Sequence, residues 1–396
     1  FYIIVALAGI LVAYISVTNP YHGFLLLTAI SFFTVLPARL LRAQLPIATG
    51  MEILVVLLLL GVLFKPKGGF GKDFFLSPVS IGLWVYLLFI IVEAFNPLMQ
   101  SIAGWLFYFR RLLMFIAIYF ISFRVLDSLD KVKRFFRVWF FLSLAAALYS
   151  CVQQWFGLAG FEMEYLLSNP HEYKLYYQGG SFRKFSFLSD PITFGMLCGS
   201  SAVFVMVLLI NEKKSRKRLI YFLCFFLFLI GMAFSGTRTA NVMLPAAMVL
   251  YALLTITNKT TLLAVLVFSL AVAFILFGPI QNNTINRIRS TLDRKEASAN
   301  VRDVNRKYIQ PYIHTHPLGG GVSTSGVMGE KYNPGHELAG FPPDSGFLLA
   351  AIELGWVGFA FTMVVYFMML YQCVRYYFRT RTREHKLLIA ALTVSV

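Results

Sequence analysis

The sequence predicts an all-α fold, a polytopic transmembrane helical bundle of about 12 spans with a large, partly helical loop between two of them. Three observations carry this. The 396 residues are 58% hydrophobic and only 13% charged, whereas a soluble chain carries charge at about a quarter of its positions. The apolar residues gather in blocks of the length a bilayer needs, roughly 20 residues per helix. No stretch alternates apolar and polar residues as a transmembrane β-strand does.

Twelve apolar blocks follow one another: 1–18, 22–36, 47–64, 75–95, 104–123, 136–158, 190–210, 219–235, 239–257, 260–279, 345–373 and 387 onward. No internal repeat joins them, and they read as one integral-membrane domain, 1–396. The chain begins and stops inside apolar stretches, so both ends read as truncated.

The net charge of +17 suggests nucleic-acid binding at first sight, but the basic residues lie in short segments between apolar blocks. That placement orients a membrane protein, with basic connections held on the cytoplasmic side. Segments 124–137, 211–218 (NEKKSRKR) and 375–386 (RYYFRTRTREHK) all read as cytoplasmic. Alternation then places two longer loops, 159–189 and 280–344, on the outer side and Phe1 with them. In the second loop, Ile285, Ile288 and Leu292 recur at helical spacing, as do Val301, Val304 and Tyr308. Both sets predict amphipathic helices on the membrane surface. The four cysteines, Cys151, Cys198, Cys224 and Cys373, lie in or beside apolar blocks and read as small packing residues.

Ionisable residues at membrane depth are costly, and each is a candidate for function. Glu52 and Glu93 fall near outer ends of spans, where a salt bridge or a solvated end also explains them. Arg110 and Arg111 follow the aromatic run Trp105, Phe107, Tyr108 and Phe109. They either snorkel from an interfacial belt or grip an anionic lipid headgroup. At 234–240 (FSGTRTA), Ser235 or Thr237 can cap the next span, and Arg238 adds a phosphate fork at the helix start.

In the large loop, Arg302 lies on the second predicted helix and His316 precedes Pro317-Leu318-Gly319-Gly320-Gly321. The glycines predict a tight turn; no Gly-Lys-Ser/Thr signature accompanies them. His314, His316 and His336 lack metal-ligand spacing, so no metal is expected. Asp344 follows Pro342-Pro343 and precedes the eleventh block. It reads either as a helix N-cap or as a general base that deprotonates an acceptor hydroxyl.

These pieces together resemble the bacterial O-antigen ligases and the related O-antigen and exopolysaccharide polymerases. Four match in order over nearly half the chain: 182–195 (FRKFSFLSDPITFG), the Ser235-Gly236-Thr237-Arg238 turn, Arg302-Asp303 leading to His316-Pro317-Leu318-Gly319, and Asp344-Ser345 followed after nine residues by Gly355-Trp356-Val357-Gly358. The ligases carry a histidine where Asp344 stands, while Ser345, Gly355 and Gly358 agree with their pattern.

The resemblance implies a glycosyltransferase that moves glycan from an undecaprenyl-diphosphate-linked donor to a hydroxyl of a glycan, lipid or protein acceptor. It would lie in the bacterial inner membrane, among membrane lipids, with its site facing the periplasm or cell exterior. No cofactor, metal or nucleic acid is implied. Asp344 or His316 would activate the acceptor, with Ser235, Thr237 and Ser345 in support. Arg183, Arg238 and Arg302, joined by Arg110 and Arg111, would hold the diphosphate. The Asp-for-His difference favours a polymerase over a ligase. The rival reading, a transporter or flippase for an anionic or lipid-linked substrate, lacks the paired broken helices and repeats usual there.

Overall fold

The computed structural model describes residues 2–41, 47–64, 72–178, 180–279, 289 and 297–395. Every apolar block carries helix, and the hairpin of Tyr177–Gln178 with Ser181–Phe182 is the one strand pair among the described residues. Six helices are long and apolar enough to cross a membrane: Pro78–Phe95, Ile102–Val125, Leu129–Trp155, Pro191–Asn211, Ser215–Ser235 and Gly355–Arg379. The chain is thus a multi-pass helical membrane protein, and among the described residues shorter apolar helices run over Gly9–Thr18, Ile47–Leu63, Arg238–Leu254 and Lys259–Phe274. Pro20–Phe32 has 13 residues, too few to cross a hydrocarbon layer of about 30 Å at 1.5 Å per residue.

The eleventh block differs from expectation in another way. It is two helices, Gly346–Glu353 and Gly355–Arg379, broken where Gly355 takes φ +66°. That left-handed conformation suits glycine and ends the first helix.

The chain divides into two compact units. In the unit formed by Phe1–Phe64, Ser122–Leu292 and Cys373–Val396, the helix Pro191–Asn211 lies at the centre. One of its faces packs Val203, Phe204 and Val207 against Leu244, Met248 and Tyr251 of Arg238–Leu254 and Ala390, Ala391 and Val394 of Arg383–Ser395. Another packs Phe194, Cys198 and Ala202 against Cys224, Phe228 and Met232 of Ser215–Ser235. All four cysteines are free thiols, three of them buried.

The three basic connections gather at one end of this unit. Lys133 pairs with Glu384 at 2.5 Å, and Arg383 donates to the Asn211 carbonyl at 3.0 Å. The helix Pro20–Phe32 runs away from that end, because Tyr21 donates to the Lys131 carbonyl while Arg39 reaches the Ser189 carbonyl. The 159–189 segment therefore sits at the opposite end of this unit from the basic connections.

The second unit comprises Lys65–Ile121 and Asp293–Gln372. Here the helix Ala297–Thr315 packs Ile309 and Tyr312 on Leu338 and Ile352. The expected stripe Val301, Val304 and Tyr308 is helical and exposed, the surface a helix lying on a membrane presents. The companion stripe of Ile285, Ile288 and Leu292 lies outside the described residues.

The glycine turn docks on the helix break. Gly320 and Gly321 donate to the Ile352 and Glu353 carbonyls at 3.0 and 2.9 Å, and Val357 donates back to Pro317. A Cβ on Gly355 would strike the Pro317 carbonyl, and one on Gly319 the backbone at Glu353 and Gly355.

Candidate active site

In the first unit, the turn after Ser215–Ser235 is built by hydroxyls and one arginine. Gly236 ends that helix in the left-handed region, φ +59°, the usual way for a helix to stop and the chain to turn. Ser235 Oγ donates to the Met232 carbonyl and accepts the Thr237 N–H. Thr237 Oγ1 donates to the Pro191 carbonyl at 2.9 Å and accepts Arg183 Nη2 at 3.1 Å. Neither hydroxyl caps Arg238–Leu254, contrary to the sequence expectation, because both are spent in holding the turn. Arg238 opens that helix and is half-buried.

Arg183 is buried, and its guanidinium is turned to the protein. Nε donates to the Ser235 carbonyl at 2.8 Å, Nη2 to Thr237, and Nη1 lies 3.4 Å from the Leu175 carbonyl. The structure thus joins Arg183, Ser235 and Thr237 in one network beside Arg238. Glycine is required at 195, where a Cβ would collide with both hydroxyls.

In the second unit, Asp344 is not the cap of Gly346–Glu353. Ser345 is, its Oγ accepting the Leu348 N–H at 3.2 Å. The Asp344 carboxylate turns instead toward Arg306, whose Nη2 lies 2.8 Å from Oδ2. The pair is close without hydrogen-bond geometry, so both carboxylate oxygens are buried with no hydrogen-bond donor. Arg302 precedes Arg306 by one turn on the same helix face, the face that continues into buried Ile309.

His316 stacks on Tyr312 with ring centroids 4.1 Å apart. Its Nδ1 lies 3.0 Å from the Tyr312 carbonyl. Thr315 Oγ1 lies 2.9 Å from the same nitrogen, so Nδ1 either donates to the carbonyl or accepts from the Thr315 hydroxyl, according to its tautomer. The Tyr312 hydroxyl is buried without a partner, and burial pushes its pKa up to about 12. His336 is held in place: Nδ1 accepts the Leu338 N–H, and a backbone hydrogen bond joins the ring to Gly320. Burial holds its pKa below the usual histidine value. Among the described residues, no group of three His, Cys, Asp or Glu side chains is placed to hold a metal ion.

The glycine-rich turn is occupied by the protein's own carboxylate. Glu353 accepts the N–H groups of Ser323 and Ser325 at 3.0 and 3.1 Å and the Ser325 hydroxyl at 2.6 Å. Burial pushes the Glu353 carboxyl above the usual range, against the opposing pull of these donors. Backbone donors that could cradle a phosphate are therefore already engaged.

Arg110 and Arg111 are exposed on Ile102–Val125, both guanidinium groups within 6 Å of the Phe107 ring, at 5.8 and 5.7 Å. Sequence reasoning missed Arg306 and Glu353 as site residues. The four-residue spacing of Arg302 and Arg306 was the available sign for the first; nothing local marks the second.

The fold and these polar ends define a multi-pass helical membrane protein with polar clusters set at helix starts. Residues 223–363, a little over a third of the chain, match the family model of the O-antigen ligases. The matched segment holds Ser235, Thr237, Arg238, Arg302, His316, Asp344 and Ser345. Comparison with curated proteins and with solved structures gives no match.

Proposed function

We propose that the protein is a glycosyltransferase that moves glycan from undecaprenyl diphosphate to an acceptor hydroxyl at the periplasmic face of the inner membrane, as a polymerase rather than a ligase. The observation that carries this reading is the nearly buried Asp344 carboxylate, paired with Arg306 through Oδ2 and with Oδ1 without a hydrogen-bond donor, inside the segment that matches the O-antigen ligases. A carboxylate so placed can accept the proton of a hydroxyl brought to Oδ1.

As the acceptor oxygen attacks the anomeric carbon, Asp344 takes its proton. The bond from that carbon to the diphosphate oxygen breaks with inversion, and undecaprenyl diphosphate leaves. Arg302 offsets the charge that grows on the diphosphate, and Arg238 grips the diphosphate of the bound donor. Arg183, its donors already engaged by the turn, serves by holding Arg238 in place. His316 is the alternative base. The group-transfer energy lies in the donor linkage, so the reaction requires neither metal nor nucleotide.

The test is transfer by purified, reconstituted protein from undecaprenyl-diphosphate-linked oligosaccharide, with and without chelator. A ladder of longer lipid-linked chains that survives chelation is the expected result. Single transfer to an added acceptor would indicate a ligase, and absence of any product from folded protein would overturn the transferase reading.

A further inference from the structure

Arg39 is completely buried, and no step proposed above uses it. It lies on the short helix Leu36–Leu41 in the first unit, among neighbours drawn from the 159–189 segment. Nη2 donates to the Ser189 carbonyl at 2.8 Å and to the Tyr176 hydroxyl at 3.2 Å. Tyr176 donates to the same carbonyl at 2.5 Å. The guanidinium carbon stands 4.4 Å from the centre of the Phe185 ring and 5.6 Å from that of Tyr165. Nε and Nη1 have no hydrogen-bond partner.

A fully buried guanidinium with two nitrogens unsatisfied is costly to fold. Leucine or methionine would fill the same space beside Phe185 and Tyr165 at no such cost. What an apolar side chain could not do is fix the Ser189 carbonyl. That carbonyl begins a short chain of contacts. Asp190 follows it and caps Pro191–Asn211 by accepting the N–H groups of Ile192 and Thr193. The next carbonyl, Pro191, accepts the Thr237 hydroxyl. Thr237 immediately precedes Arg238. Tyr176 also accepts, through its own carbonyl, the backbone N–H of Arg183 at 2.8 Å, so the corner that Arg39 pins feeds both arginines of the turn.

We propose that Arg39 is a positioning residue for the diphosphate grip: it fixes the Ser189–Pro191 corner, and so sets where the Arg238 guanidinium stands. This rests on the transferase reading above and extends it to a residue outside the matched segment. A residue of this kind acts on binding of the donor and leaves the chemical step unchanged. A residue that merely stabilises the fold acts on the amount of competent protein. The two roles separate in kinetics, the first in KM and the second in apparent kcat.

The experiment uses the full reconstituted chain with undecaprenyl-diphosphate-linked oligosaccharide, comparing Arg39→Met, Arg39→Lys and Tyr176→Phe with the native protein. Folding is followed by thermal unfolding in detergent. Arg39→Met is expected to raise the donor KM about tenfold while kcat stays within about twofold. Arg39→Lys restores part of the loss, and Tyr176→Phe shifts KM the same way by less. An unchanged KM with kcat reduced in step with the folded fraction would overturn the proposal. Should Arg39→Met fail to fold, Tyr176→Phe decides, and a native KM there overturns it equally. Native protein without transfer sinks the transferase reading and this role together; active native protein with unshifted variants sinks this role alone.

Discussion

Asp344 and Arg306 stand 2.8 Å apart in unlike surroundings, the carboxylate side chain 9% exposed and the guanidinium 50%. The arginine thus pairs with Oδ2 from the solvent side and leaves Oδ1 without a hydrogen-bond donor. Asp344→Asn keeps the shape and removes the proton acceptor. Transfer is expected to fall by at least about a hundredfold, the usual worth of a general base, with the thermal unfolding profile unchanged. Near-native transfer by this variant would remove Asp344 from the mechanism and leave His316 in its place.

Arg238→Ala removes the one guanidinium that opens a helix at the turn. Charge-assisted hydrogen bonds of this kind are worth about 1.5–3 kcal/mol each, so the expected result is a donor KM raised about 10–100-fold, with Ser235, Thr237 and Arg183 still holding the turn and the protein still folded. A native KM would show that the diphosphate is held elsewhere.

Two glycines in one sequence motif region should respond oppositely to alanine. Gly355 has φ +66° and faces the Pro317 carbonyl, whereas a Cβ on Gly346 meets nothing within 4 Å. Gly355→Ala is expected to lower stability by about 2–4 kcal/mol through backbone strain and overlap. Gly346→Ala should change it by less than about 1 kcal/mol. Thermal unfolding of the two variants in the same detergent checks the contrast.

Asp190 predicts a specific acid sensitivity. Burial raises its carboxyl pKa, but hydrogen bonds from Thr193, Ser189 and Ile192 outweigh burial and hold it below the usual aspartate value. A depressed pKa in the folded state adds stability that is complete above the ordinary aspartate range, near about 4, and is lost as pH falls through the lower folded value. Native protein should therefore lose unfolding temperature in that window more steeply than Asp190→Asn. Parallel acid profiles would count against the linkage. At neutral pH, Asp190→Ala should cost about 1 kcal/mol, the worth of an N-cap.

The helices were legible because the apolar blocks are long and the connections basic. Lys133, Glu384, Arg383 and Asn211 meet at one end of their unit. The caps were harder to read. Ser235, Thr237, Asp344 and Ser345 all have side chains suited to capping, and only backbone geometry decides that Ser345 alone among them does so. Arg39 and Glu353 left no local mark, since their partners lie far along the chain at Tyr176, Ser189 and the Ser323–Ser325 turn. The split of the eleventh block was equally hidden, because a glycine in an apolar run does not announce its φ angle.

The engagement of Glu353 with the glycine turn also bears on motion. The amides of Gly320, Gly321, Ser323 and Ser325 all donate to the end of Gly346–Glu353, so none can exchange its hydrogen with solvent until turn and helix part. This stretch therefore opens as one cooperative block with the helix it holds. Any movement that admits a substrate must come from segments flanking that block.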